Sequence, residues 1–197
     1  MLGTRSLVAA SSRELRALGW ALVLSACSVG VGQGEASGLV SAPDCDLLGE
    51  AIDLRPDFFV ADEFEGHLEI RMQRGGDYEY LSDGISIFVA DVAQEHERLG
   101  TPVPLSAEAG APVRMNLYLN ERCPPDRHRP PVNYVAVSGN IVFTAIYAPE
   151  VDDNLLIAAS FDSVRFVDPS RPAERFAIVS GALSFLYNRG RPAQRFP

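Results

Sequence analysis

The sequence predicts an all-β protein, an antiparallel β-sandwich or barrel-like sandwich with at most one short helix. Apolar and polar residues alternate over many short stretches, which is the period of a half-buried strand. Two dipeptides that favour tight turns, Asp83-Gly84 and Gly139-Asn140, separate some of these stretches. With Pro-rich loops at 102–112 and 124–131, the pattern gives roughly eight or nine short strands, which is typical of sandwiches and barrels.

The alternation also predicts where each strand lies. It is clearest at Leu68, Ile70 and Met72, whose neighbours are all polar. A shift in the apolar phase at Asp162-Ser163 indicates a β-bulge, and Gly181 is expected to turn the chain between the last two strands. The predicted strands are 68–73, 78–82, 85–90, 113–120, 134–138, 141–147, 155–167, 175–180 and 183–187.

One segment, residues 92–99, favours a helix. Asp91 can cap it, Gln94 occupies the capping-box position, and Gly100 can supply the left-handed residue that ends it. Because the segment is short, a loop with a single helical turn is the alternative.

The composition excludes several classes of function. The chain has 17 basic and 26 acidic residues, a net charge of −9, and every basic residue is Arg. Without lysine there can be no Schiff-base lysine and no P-loop. The acidic balance argues against a nucleic-acid partner, because neutralising phosphates requires a basic surface. No cofactor is expected.

The first 27 residues predict export. Arg5, Arg13 and Arg16 precede an apolar run at 17–24, and small residues follow, which is the order of a secretory signal. Leu24-Ser25-Ala26-Cys27 resembles the lipobox of bacterial lipoproteins. This resemblance implies a signal peptide at 1–26, cleavage before Cys27 and attachment to the membrane through acyl chains on Cys27. Ser28 is not the Asp that retains enteric lipoproteins in the inner membrane, so the outer membrane is expected.

The alternative is ordinary secretory cleavage after Ala26 or Ala36, which would leave a soluble periplasmic or extracellular protein. In the lipoprotein interpretation, the small and Gly-rich segment 27–43 is a flexible tether, and residues 44–197 form a single β domain. Cys45 and Cys123 then remain, and two cysteines in an exported chain are expected to form a disulfide. Two free thiols, one of them a nucleophile, are the competing interpretation.

Glu63 and Glu65 are the best candidates for carboxylate chemistry. If their stretch is extended they share a face, with Cβ atoms about 7 Å apart, near the separation of paired glycosidase acids. A solvated strand face is the plainer explanation.

Asp152, Asp153 and Asn154, and also Asp44 and Asp46, offer oxygen ligands for Ca²⁺, although no EF-hand spacing is present.

The three histidines, His67, His96 and His128, lack the spacing of a zinc site, and no G-x-S-x-G elbow occurs. The sequence therefore favours a binding or structural module of the cell envelope, with a protein or glycan ligand. The alternative is a surface carbohydrate hydrolase that uses Glu63 and Glu65. A deep cleft around these acids would favour the enzyme, and a shallow face would favour the binding module.

Overall fold

An antiparallel β-sheet makes up most of the computed structural model, which describes residues 32–75, 82–125, 131 and 133–187. Within these ranges one α-helix, α1 (Val92–Glu97), and a 3-10 turn at Pro43–Cys45 accompany the strands. The strands are β1 (Gly32–Ala42), β2 (Leu47–Leu54), β3 (Phe58–Phe64), β4 (His67–Gly75), β5 (Ser82–Val89), β6 (Val103–Pro104), β7 (Val113–Leu119), β8 (Asn133–Ala145), β9 (Leu156–Val167) and β10 (Phe176–Leu186).

The strand order is β2-β1-β10-β9-β8-β7-β5-β4-β3, and β6 adds to β8. All pairs are antiparallel, and the sheet is not closed, so β2 and β3 are its edges. The sheet nevertheless folds over itself, because the Phe59 ring of β3 lies 5.6 Å from the Phe185 ring of β10. The predicted all-β, sandwich-like antiparallel fold is therefore confirmed.

Alternate residues of the strands form the core between the two layers. Leu68, Ile70 and Met72 of β4 are fully buried there, as the alternation predicts. Other large core side chains include Phe59, Ile85, Ile87, Met115, Leu117, Tyr134, Ile141, Phe143, Ile157, Phe161, Phe166, Val179 and Phe185. Arg71 and Gln73, on the opposite face of β4, are also buried, so this face is not the solvated one that the pattern predicts.

The predicted tether is wrong from Gly32 onward, because residues 32–42 form β1, which pairs with both β10 and β2. The glycines of β1 allow neighbouring parts of the chain to approach its backbone closely. A Cβ atom at Gly34 would lie 2.8 Å from the Phe59 ring, and one at Gly38 would lie 1.9 Å from the Ile178 carbonyl oxygen. The β domain thus includes Gly32, and residues 27–31 lie outside the described residues.

Three predicted turns are interior strand positions. Asp83-Gly84 lies within β5, Gly139-Asn140 within β8 and Gly181 within β10. Each glycine permits a close approach: a Cβ at Gly84 would lie 2.3 Å from the Tyr118 hydroxyl oxygen, and one at Gly181 would lie 2.4 Å from the Glu35 carbonyl oxygen. An isolated glycine in a strand marks such an approach or a bulge as readily as a turn.

The bulge and the helix follow their predictions. Val179 and Gly181 of β10 pair with Val164 and Phe161 of β9. The two residues Asp162 and Ser163 therefore lie opposite a single residue of β10, which is a β-bulge. The Asp91 carboxylate accepts the Gln94 N–H at 2.9 Å and caps α1. Most of the predicted strand 78–82 lies outside the described residues.

The strands place different features at the two ends of the sheet. One end is called the Gly32 end. It contains the start of β1, the β3–β4 turn, residues 148–155 and the end of β10. The other, the disulfide end, contains the predicted Cys45–Cys123 disulfide, with Cα atoms 5.4 Å apart.

Next to the disulfide, Arg175 is buried between Asp44 and Asp168. Its Nε donates to Asp44 at 2.8 Å, its Nη1 donates to Asp168 at 3.1 Å, and its Nη2 also contacts Asp44. The cluster joins the residues after β1 to the loop between β9 and β10.

Candidate functional site

The two predicted catalytic acids do not share a strand face. Glu63 is in β3, but Glu65 and Gly66 form the two-residue turn to β4, with φ angles of 51° and 82°. Both angles are positive, as in the type I′ turns that suit hairpins, and glycine adopts them readily. The Glu63 carboxylate accepts the Gly66 N–H at 3.0 Å. The expected face-sharing pair is therefore wrong, because the chain turns between the two acids.

Glu63 and Glu65 nevertheless line one cleft of about 410 Å³, called here the Glu63 cleft. Its other walls are the turn at Gly66, the start of α1 and residues 148–151. His67 lies in it with Nδ1 at 2.5 Å from the Ala90 carbonyl oxygen. Asp91 is occupied in capping α1. The polar groups of this cleft thus serve mainly to hold the turn and the helix in place.

Two of the candidate calcium ligands, Asp152 and Asn154, already accept hydrogen bonds from other groups of the protein. Asp152 accepts the Asn154 N–H at 2.9 Å and pairs with His96 Nε2 at 2.9 Å, and Asn154 accepts the Leu156 N–H at 3.0 Å. The hydrogen bond from Asn154, followed by the one from His96, lowers the pKa of Asp152. Asp153 is exposed beside them. In the described ranges no group of three or more His, Cys, Asp and Glu side chains could hold a metal ion.

Of the remaining predicted site residues, Asp44 can be placed. Asp44 pairs with Arg175 and Arg171 instead of offering a free carboxylate. Cys27 and His128 lie outside the described residues.

A second cleft, of about 200 Å³, lies on the outer face of β4, β5 and β7, and is called here the Arg114 cleft. Its polar lining comes from Glu69, Ser86, Ser106, Arg114 and Asn116. Glu69, Ser86, Arg114 and Asn116 project outward because their strand neighbours project into the core, and Ser106 comes from the loop between β6 and β7. The register aligns them in two rows, Glu69–Phe88–Arg114 and Arg71–Ser86–Asn116–Val135.

Arg114 is held in this cleft by an aromatic side chain. Its guanidinium carbon lies 4.4 Å from the centroid of the Phe88 ring, a cation–π distance. His67 packs on Phe88 as well, with ring centroids 5.7 Å apart, so Phe88 connects the two clefts. The Nε atom of Arg114 is buried and has no hydrogen-bond partner among the described residues.

This arrangement can bind an anionic group. A guanidinium presents a planar set of donors that matches a carboxylate or phosphate, and such charge-assisted hydrogen bonds are strong where water is partly excluded. Ser86 and Asn116 in the next row can exchange hydrogen bonds with hydroxyl groups beside that anion. Glu69, at the other end of the Phe88 row, favours a hydroxyl or a cationic group at that side.

Sequence reasoning missed this site. Arg114 and Asn116 alternate with core residues, so they were expected to be ordinary solvent-facing positions of a half-buried strand. The clustering depends on which strands are neighbours, and β4, β5 and β7 cannot be paired from the alternation alone.

Comparison of the chain with family models, with curated proteins and with solved structures finds no match. No helix in the described part of the chain is long and apolar enough to cross a membrane.

Proposed function

We propose that this chain is a lipid-anchored binding module of the bacterial cell envelope whose Arg114 cleft takes an anionic group of a small ligand. The observation that carries the ligand chemistry is the Arg114 guanidinium, which stacks on Phe88 and lines a cleft that also contains Ser86 and Asn116. A guanidinium presents its donors in one plane, and a carboxylate or phosphate can accept two of them at once.

The anchor rests on the Leu24-Ser25-Ala26-Cys27 motif. The position of β1 argues only against cleavage after Ala36, because cleavage after Ala26 breaks the same bond as lipoprotein processing. Secretory cleavage after Ala36 would remove the first half of β1, whereas cleavage before Cys27 leaves the strand whole. Residues 28–31 would then link the acylated cysteine to the domain. At about 3.5 Å per residue, the Cα atoms of Cys27 and Gly32 would be at most about 17 Å apart. The outer membrane is the proposed location, and release into the periplasm or the exterior is the alternative.

Labelling with a palmitate analogue tests the anchor. The wild-type protein should be labelled and should fractionate with the outer membrane, and Cys27→Ser should lose both properties. Equal labelling of the two proteins would exclude acylation at Cys27.

A ligand titration tests the Arg114 cleft. Glucuronate, which carries a carboxylate beside hydroxyl groups, is the probe, and glucose is the neutral control. Arg165→Met is the matched control variant, because Arg165 also stacks on an aromatic ring, at 4.9 Å from the Phe176 centroid, but lines neither cleft.

Glucuronate should raise the melting temperature of wild type and Arg165→Met, since a ligand that binds only the folded state stabilises it. In Arg114→Met the affinity should fall at least tenfold, because a hydrogen bond to a charged group contributes about 1.5–3 kcal/mol. An unchanged affinity in Arg114→Met, or stabilisation by glucose to the same extent, would contradict the assignment.

The Glu63 cleft supports a second candidate function, hydrolysis of a glycan by Glu63 and Glu65, because both acids line it. Wild-type protein should then release reducing ends from envelope polysaccharides, and a folded Glu63→Gln, Glu65→Gln variant should not. Absence of turnover by the wild type would exclude this candidate.

A further inference from the structure

Exposed apolar side chains gather at the Gly32 end of the sheet. Phe64 is 66% exposed, Leu186 60%, Val151 48% and Leu155 47%. These are half of the exposed large apolar residues in the described part of the chain, and they come from three separate segments. Single exposed apolar residues need no explanation, but a group at one end of the sheet marks a surface that contacts something apolar.

Hydrogen bonds and packing hold these segments together. The Tyr187 N–H donates to the Leu155 carbonyl at 2.6 Å, and Leu186 is paired with Leu156. Tyr147 and Tyr187 stack beneath them, with ring centroids 3.8 Å apart and planes 12° from parallel.

The remaining segments join through β3 and the Glu63 cleft. The Tyr187 hydroxyl lies beside the backbone of Glu63, which is next to Phe64 in the chain. Val151 lines the Glu63 cleft together with Glu63 and Glu65. The four exposed side chains therefore belong to one structured end of the domain.

We infer that the Gly32 end faces the bilayer and that Phe64, Leu155 and Leu186 enter its interfacial region. This inference rests on the proposed acylation of Cys27. Gly32 is paired with Phe185, so the link to Cys27 leaves the domain beside Leu186. With only residues 28–31 between the acylated cysteine and β1, the end from which the link emerges must stay within about 17 Å of the anchor.

The charge at this end indicates that the contact is apolar. Glu63, Glu65 and Glu150 line the cleft there and would be repelled by anionic lipid. Insertion of the apolar side chains therefore does not rely on attraction to charged lipid, and it should depend little on salt.

Tryptophan fluorescence tests the orientation. The only tryptophan, Trp20, lies in the predicted leader, so a tryptophan introduced into the processed protein is a unique reporter. Phe64→Trp places it at the Gly32 end. Leu48→Trp is the matched control, because Leu48 is 75% exposed and pairs with Ser41 at the opposite end of β1.

Each variant would be expressed from the whole sequence, purified from membranes in its processed form and reconstituted into phosphatidylcholine vesicles that contain brominated acyl chains. Brominated lipid should quench Phe64→Trp at least twofold more than Leu48→Trp, and 1 M NaCl should not reduce the difference. The tryptophan emission should shift to shorter wavelength only in Phe64→Trp, and only when that protein is bound to lipid.

The possible failures are distinguishable. Flotation with the vesicles but equal quenching of both variants overturns the orientation and leaves the anchor intact. A blue shift of Phe64→Trp without lipid that grows with protein concentration assigns this end to a second copy of the chain, which also overturns it. Protein that neither carries acyl chains by intact mass nor floats overturns the proposed function and this inference together.

Discussion

Replacing Arg175 by Met should destabilise the fold by about 3 kcal/mol, mainly by leaving Asp168 charged and buried. Arg175 is 1% exposed and binds both Asp44 and Asp168. Met keeps much of the length and the apolar part of the side chain, so the substitution removes the charge without opening a large cavity. Removing one partner of a buried ion pair costs about 3–5 kcal/mol, because the other charge stays out of water.

The two carboxylates should not contribute equally to this loss. The Asp44 side chain is 29% exposed and keeps Arg171 at 3.0 Å, so water and Arg171 can compensate it. The Asp168 side chain is only 8% exposed. Without Arg175, its remaining side-chain hydrogen bonds among the described residues come from the Ser170 N–H, at 2.8 Å, and the Ser170 hydroxyl, at 2.6 Å. Because Asp44 remains compensated, we expect the loss of stability to lie near the lower limit of the range of about 3–5 kcal/mol. For a domain of this size about 3 kcal/mol corresponds to roughly 6–12 °C in melting temperature.

The effect should depend on pH in a direction that the structure fixes. Burial by itself would raise the pKa of Asp168, but hydrogen bonds from Ser170 and Arg175 outweigh it and lower the pKa below 3.8. In the wild type this contribution is complete above pH 3.8 and is lost as the pH falls through the folded-state pKa. In Arg175→Met, burial of Asp168 is no longer offset by Arg175, so acid relieves the penalty. The difference in stability between the two proteins should narrow between pH 7 and pH 3.

Urea unfolding monitored by circular dichroism, at pH 7 and at pH 3, measures these quantities. Arg165→Met serves as a control that should change stability by less than about 1 kcal/mol. The double variant Arg175→Met, Asp168→Asn should recover about half of the loss, since the stranded charge is gone. A loss below about 1 kcal/mol for Arg175→Met, or a difference that widens as the pH falls, would refute this account of the cluster.

Three further predictions test the packing and the disulfide. Tyr134→Phe should be neutral or stabilise by up to about 1 kcal/mol, because the buried hydroxyl has no hydrogen-bond partner among the described residues; a loss above about 2 kcal/mol in urea unfolding would reveal one. Replacing Cys45 and Cys123 by Ala should cost about 4–5 kcal/mol, given their separation of 78 residues, and an unchanged unfolding midpoint would contradict the bridge. Gly38→Ala should cost about 2–3 kcal/mol because its Cβ would collide with a backbone oxygen of β10, whereas Gly110→Ala, with open space around it, should cost less than about 1 kcal/mol.

The strands that alternate were predictable, and the glycine-rich ones were not. β4, β7 and β9 carry branched and apolar residues at every second position, and burial against the opposite layer preserves that pattern. β1 consists largely of small residues, because Phe59 and β10 occupy the space where side chains would project. A segment of this kind has the composition of a linker although its glycines are required by close packing.

Predicting the candidate site requires knowing which strands are neighbours, and the alternation of apolar and polar residues does not provide this. The disulfide was predictable, because exported chains with two remaining cysteines seldom leave them free. The Arg114 cleft was not, because its two rows cross β4, β5 and β7, and the pairing of these strands is a property of the whole sheet. Asp83 shows the same difficulty: as Asp83-Gly84 it favours a turn, yet in β5 it is buried and pairs with Arg122 at 3.1 Å. Burial raises the pKa of Asp83, although hydrogen bonds from Arg122 and Glu121 act in the opposite direction.

The proposed orientation also bears on the choice between the two candidate functions. The Glu63 cleft lies at the Gly32 end, where Val151 and the turn that follows Phe64 would touch the bilayer. An enzyme that cleaves a polysaccharide needs this cleft open to a long substrate, and contact with lipid would close it. The Arg114 cleft lies on the outer face of the sheet, so it would open sideways, along the membrane surface, and stay accessible to a small ligand. Strong quenching of Phe64→Trp by brominated lipid would therefore argue for the binding module and against the hydrolase, and turnover at the Glu63 cleft would argue for an open Gly32 end.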